Sequence, residues 1–274
     1  MQNTAIMSGE GPAVGGMLAR WRKLRRMSQL DLALEAGVSA KHLSFLETGR
    51  SRPSREMVLA LAAVLDVPLR QQNALLLAAG FAPAWRQSEL GAPELAEVNR
   101  ALDFILAQQE PFPAFVVDRR WNLLRANDAA VRMTTFLLGS APSGPVNLAE
   151  AILSPDALRP YIVDWEASAL YLIPGVQADA LADGAPETAA LLQRLLAYPG
   201  VPSLSQSALI EQSHGPVLTV HFRKGDTALR LFTTIATLGT PQDVTLQEIR
   251  IECFFPADEA TRKLFATWAS HARN

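Results

Sequence analysis

A chain of 274 residues, 49% hydrophobic and 19% charged, is long enough for two domains and apolar enough to bury a core in each. One cysteine, Cys253, and four scattered histidines exclude an intramolecular disulfide and argue against a structural zinc site. The formal charge of −2 conceals an asymmetry: nine basic and four acidic residues between Val14 and Glu56 give that stretch about +5 and the rest about −7, which places any nucleic-acid surface at one end.

From Val14 to Gly80 the apolar spacing is helical with breaks. Leu18, Trp21 and Leu24 share one face. Ser28 is an N-cap candidate for a helix ending at Gly37, and Ser39 caps another reaching Glu47. Pro53-Ser54 starts a stripe of Val58, Leu61, Ala62 and Leu65, and a fifth helix spans Leu69 to Ala79. Met1 to Gly16 is small and polar and reads as a frayed tail, not a signal peptide. No apolar run approaches membrane length, so no membrane partner is expected. The single cysteine fits a reducing, cytoplasmic compartment.

A Pro- and Ala-rich stretch separates a head at 10–80 from a second domain at 95–272, with 81–94 as linker. Pro93 begins a helix carrying Leu95, Val98, Leu102 and Ile105. Ala114 to Val117 and Trp121 to Ala126 read as a hairpin around Asp118-Arg119-Arg120, and Asn127 or Asp128 caps the next helix. Residues 147–198 are mostly helical, with breaks at Pro160, Pro174-Gly175 and Pro186. Strands are expected at Val217 to Arg223, Ala228 to Thr237 and Leu246 to Phe255, then a helix opened by Asp258-Glu259. Their alternation predicts an antiparallel sheet with one apolar face, Arg223 and Arg230 pairing across strands with Glu248 and Glu252 on the other.

In the head, Ala33 is small where a second helix must approach, and Gly37 supplies a tight turn. Val38, Leu43 and Leu46 face inward. Ala40, Lys41, Ser44 and Phe45 are left outward on the N-terminal half of the Ser39-capped helix, the half that a recognition helix presents to base edges. Residues 14–80 resemble the XRE family of helix-turn-helix domains through Val38-Ser39, Leu43-Ser44, Leu46-Glu47-Thr48-Gly49-Arg50 and Pro53-Ser54. The resemblance implies an all-α, five-helix head that binds a palindromic double-stranded DNA operator as a homodimer. It implies Gln29 at a phosphate, Lys41, His42 and Ser44 at or near bases, and Arg50 and Arg52 on the backbone. Ala40 and Phe45 depart from the pattern: Ala40 offers no hydrogen bond, and Phe45 either meets a thymine methyl or packs. The alternatives are a surface helix start for Gln29, a solvated Lys41 and an ordinary half-packed His42, with Glu47 paired to a nearby arginine.

In the second domain, Pro113 to Asp118, Trp121-Asn122-Leu123, the run Leu238 to Glu252, and Phe254-Phe255-Pro256-Ala257-Asp258 resemble the ligand-binding domain of MmyB-like transcription regulators. The resemblance covers about 95–270. It implies an α+β, PAS-like fold, an antiparallel sheet flanked by helices, holding a small apolar ligand such as a fatty acid; no other cofactor is implied. Candidate pocket residues are Phe115, Trp121, Phe136, Trp165, Tyr171, Phe222 and Phe232, with His221 or Arg223 at a ligand head group. The alternative for each aromatic is plain core, for Arg223 a cross-strand ion pair, and for Cys253 a small buried apolar side chain. No phosphate loop, nucleophile elbow or HExxH motif occurs, and His214 and His221 have no nucleophile partner, so an enzyme is not expected.

Overall fold

The computed structural model describes residues 14–141, 143–183, 185–201 and 219–271. Val217, Leu218 and His214, together with the outer ends of both expected domains, lie outside them. The chain divides into two compact units. The first is Met1–Gln87 with Pro241–Gln247, and the second is Ser88–Thr240 with Glu248–Asn274.

The first unit holds α1 (Val14–Leu24), α2 (Gln29–Glu35), α3 (Ala40–Glu47), α4 (Arg55–Val64) and α5 (Leu69–Ala78). Serines start three of them: Ser28, Ser39 and Ser54 accept from the N–H groups of Asp31, His42 and Met57, satisfying donors that a helix start leaves open. Gly37 takes φ 67° in the α2–α3 turn, a backbone region that L side chains resist. Leu18, Leu32, Leu43, Leu46, Leu61 and Leu75 close the core.

Gly15, expected in a tail, instead lies buried in the first turn of α1. A Cβ there would sit 2.2 Å from the Leu46 carbonyl oxygen and 2.8 Å from that of Glu47, so only glycine lets α1 cross the end of α3 this closely. Gly15→Ala forces the two backbones apart. It is expected to cost about 1–3 kcal/mol, read as a lower thermal midpoint of helical circular dichroism; an unchanged midpoint would show the crossing to be loose.

Residues 81–87 belong to this unit. Asn73 Oδ1 accepts from the N–H groups of Ala84 and Trp85, and the Trp85 indole donates to Gln72. So does Pro241–Gln247, which lies between two strands of the second unit in the sequence. Val244 is fully buried, and its N–H donates to the Arg86 carbonyl at 2.8 Å. Pro68 has no side chain to cap α5; the Leu69 N–H donates instead to Gln247 Oε1 at 2.7 Å.

The second unit contains α6 (Ala96–Gln108), β1 (Ala114–Val117), β2 (Leu123–Ala126), α7 (Asp128–Leu138), α8 (Leu148–Leu153), α9 (Trp165–Asp183), α10 (Pro186–Ala197), β3 (Thr219–Lys224) and β4 (Thr227–Thr237). After α11 (Val244–Glu248) it adds β5 (Arg250–Pro256) and α12 (Glu259–His271). The described strands form one antiparallel sheet in the order β2-β1-β5-β4-β3. The two-part architecture and the helix-flanked sheet are as expected from sequence.

Several local expectations fail. Leu246 to Glu248 is helical, not strand: Asp243 accepts from the Thr245 and Gln247 N–H groups and starts a helical turn. Pro174-Gly175 does not break α9, which is apolar nearly all round and is held by buried Ala169, Leu172 and Val176. Trp121 has φ 64° in the β1–β2 turn and does not open β2. The sheet centre is buried on both faces: Val116 pairs with Ile251 on one, Phe115 with Glu252 on the other. Glu252 and Phe254 therefore point inward, so the face expected to carry charge is buried as well. The cross-strand pairs of Arg223 and Arg230 with Glu248 and Glu252 do not form. Arg230 approaches Asp258 at 3.8 Å, and Glu248 meets Arg119 at 3.1 Å.

Candidate functional site

The head presents α3 by its N-terminal edge. Lys41, Arg50 and Arg52 are exposed, while Ala40, His42, Ser44 and Phe45 are half-buried. Ser39 is exposed and spends its hydroxyl on the cap. Phe45 carries cations on its ring: Lys41 Nζ is 5.8 Å and the Arg50 guanidinium 6.0 Å from its centroid, contacts of the cation–π type. Arg52 has no ion-pair partner among the described residues.

Gln29 is tied down. Its Nε2 donates to Glu47 Oε2 at 2.7 Å, and the Arg22 fork donates to both Glu47 oxygens at 2.7 and 2.8 Å. Arg22 also donates to the Met27 carbonyl. The Arg22 and Glu47 side chains are 12% and 5% exposed, so this pair locks α1, the start of α2 and the end of α3 together. Burial pushes the Glu47 carboxyl up. Hydrogen bonds from Arg22 and Gln29, with the charges of Arg22 and Lys23, outweigh it and hold the group below its usual range.

Among the described residues of the second unit, two clefts open between sheet and helices. The first, about 450 Å³ when the open solvent at its mouth is counted, has Trp121, Tyr171, Phe222 and Phe254 in its wall, with Ser168, Thr233 and Glu252 as polar members. Glu252 is 9% exposed. Burial pushes its carboxyl up to about 7, against a hydrogen bond with Thr233 that lowers it. Burial and the adjacent Glu252 also raise the Cys253 thiol, which keeps it from thiolate chemistry. The second cleft, about 720 Å³, lies among β1, β2, α7 and α8, with Phe115, Leu123 and Leu138 in its wall. Phe115 and Phe254, one from each cleft, meet edge to face with centroids 5.7 Å apart.

The other candidates line neither cleft. Phe136 packs on Trp268, Trp165 lies under the Arg159 guanidinium, and Phe232 stacks on Phe255 across the sheet. His221 and Arg223 project from β3 away from Phe222; His221 Nδ1 is 4.0 Å from Asp164. Sequence reasoning missed Glu252, because a carboxylate two positions from Arg250 on one strand face reads as solvated.

A part-buried ion network lies at the other end of α9. Arg119 holds Asp183 at 2.6 Å and Glu248 at 3.1 Å, and Arg250 holds Asp179 at 2.7 Å. It ties α9, which lines the first cleft through Ser168, Tyr171 and Leu172, to Arg119, Glu248 and Arg250 of the same unit.

No described helix is long and apolar enough to cross a membrane, and no cluster of metal-ligating residues occurs among the described residues. The family model for the MmyB-like transcription regulator ligand binding domain matches residues 98–267, and a helix-turn-helix model matches residues 18–72. Both describe transcription regulators and not enzymes. No curated protein matches. A solved structure, "Structure of an RNA-binding Light-Oxygen-Voltage Receptor", aligns over 95% of this chain at 12% identity and a TM-score of 0.24, and the chain spans 62% of that protein's length. A DNA-binding helix-turn-helix joined to a ligand-binding domain makes this a transcription regulator, and the chain belongs to the MmyB-like family.

Proposed function

We propose that this regulator is a homodimer that reads a palindromic operator with α3, and that a small, largely apolar molecule in the first cleft sets its operator affinity. Lys41, Ser44 and Phe45 face base edges, with Ala40 and His42 close by, and Arg50 and Arg52 hold phosphates. Gln29 serves by fixing α2 to Glu47 and reaches phosphate through the same helix start. The observation that carries the reading is the path of the chain. Thr233 of β4 and Glu252 and Phe254 of β5 line the cleft, and the segment joining those strands, Pro241–Gln247, is built into the DNA-binding unit. A ligand that favours one setting of β4 and β5 then biases the head, by no more than its difference in affinity for the two states.

Sequences enriched from random DNA by the full chain supply the operator. Val220→Trp, which fills the cleft, is expected to change affinity for that operator at least about fivefold. If neither it nor small molecules extracted from the protein changes affinity, the second unit only dimerises or recruits a partner. Lys41→Ala is expected to weaken specific binding about tenfold and non-specific binding much less. Arg52→Ala weakens both and lowers the salt slope by about one. Fluorescence anisotropy across a salt series separates them, and equal loss on operator and random DNA for Lys41→Ala removes it from base reading. Gln247→Ala deletes the acceptor for the Leu69 N–H. Operator binding without ligand persists while the response to Val220→Trp shrinks, read in the same assay on the double variant; an unchanged response rules this route out.

A further inference from the structure

We propose that the first cleft takes a compact, mainly apolar molecule whose head group is a hydroxyl seated at Glu252, and that it turns carboxylates away. This rests on reading the second unit as a ligand sensor. The wall of Trp121, Tyr171, Phe222 and Phe254 suits a hydrophobic body. Its polar members are Ser168, Thr233, Glu252 and the Tyr171 phenol; no lysine, arginine or histidine among the described residues lines it. A ligand carboxylate would enter with no counter-charge and lie against another carboxyl group, and an unpaired buried charge is strongly disfavoured.

A hydroxyl fits both sides of the site. Burial holds the Glu252 carboxyl near neutrality in its titration, so it exists in both forms and can accept the hydroxyl proton or donate to the hydroxyl oxygen. The Trp121 indole N–H is buried and has no hydrogen-bond partner among the described residues, a condition native structures rarely leave unanswered. A hydroxyl oxygen is an acceptor for that donor. An ammonium group would satisfy Glu252 but offer the indole nothing.

Benzyl alcohol, toluene and benzoate share one ring and differ in the head group. Titration of each into the full chain at pH 7.5 by calorimetry is expected to rank benzyl alcohol at least tenfold tighter than benzoate, with toluene between. The chain has five tryptophans, so an indole ¹⁵N spectrum is simple. The peak missing in Trp121→Phe should move with benzyl alcohol and much less with toluene. Glu252→Gln keeps an acceptor and removes the charge, and should narrow the alcohol–benzoate gap to under threefold; a gap left at its wild-type value overturns the assignment. The wild-type ranking decides the matter if that variant does not fold. Benzoate or toluene binding as tightly as benzyl alcohol overturns the hydroxyl assignment and leaves the sensor reading standing. No binding by any of the three overturns the assignment and removes this cleft from the sensor reading as well.

Discussion

Glu47→Ala is expected to destabilise the helix-turn-helix unit by about 3–5 kcal/mol, because it strands a buried guanidinium. Arg22 would keep only the Met27 carbonyl, and Gln29 would lose the acceptor for its Nε2. A domain's whole stability is about 5–15 kcal/mol, so the head should be partly unfolded near 37 °C and operator binding should fall with it. Circular dichroism melts check the first effect and anisotropy on the operator the second. The same pair makes the head acid-sensitive. The folded Glu47 lies below its ordinary value, so its contribution is complete above the unfolded pKa near 4.5 and is lost as pH falls through the folded one. Glu47→Ala should lack that acid limb. A melt that matches wild type at pH 7 would mean the pair is solvated, not structural.

Glu252→Gln should do the opposite in the second unit. The folded carboxyl is raised from 4.5 to about 7 by burial. The native state therefore holds a proton that the unfolded chain has released, and stability falls as pH climbs from 4.5 to 7. Full removal of that penalty is worth about 3 kcal/mol. The variant should match wild type near pH 4.5, gain on it steadily up to pH 7, and stay ahead at pH 8. Denaturant titrations across that range test the claim, and parallel curves would place Glu252 in water. The windows do not overlap: Glu47 acts below 4.5 and Glu252 above it, so a pH series on the two variants separates the units.

The helix-turn-helix was legible because its information is local. Ser28, Ser39 and Ser54 are caps whose partners lie three residues on, and Gly37 answers a need of its own backbone. An ion pair for Glu47 was readable as a type of contact, although Arg22 lies 25 residues away. Gly15 was not readable, since its role is set by the carbonyls of Leu46 and Glu47. In the second unit the aromatic candidates split. Trp121, Tyr171 and Phe222 line one cleft and Phe115 the other, while Phe136, Trp165 and Phe232 found partners elsewhere, because alternation names a face without saying what covers it.

The division of labour is written along the chain: a basic helical head whose caps and turn lie in consecutive residues, and an acidic α+β body. That Glu252 turns into the core, that α9 runs through Pro174, and that Pro241–Gln247 joins the head are outcomes of packing. Caps and periodicity act over a few residues through the chain's own backbone. Burial of a carboxylate or docking of a loop depends on surfaces contributed by residues more than a hundred positions away, and those meet only when the whole chain has folded.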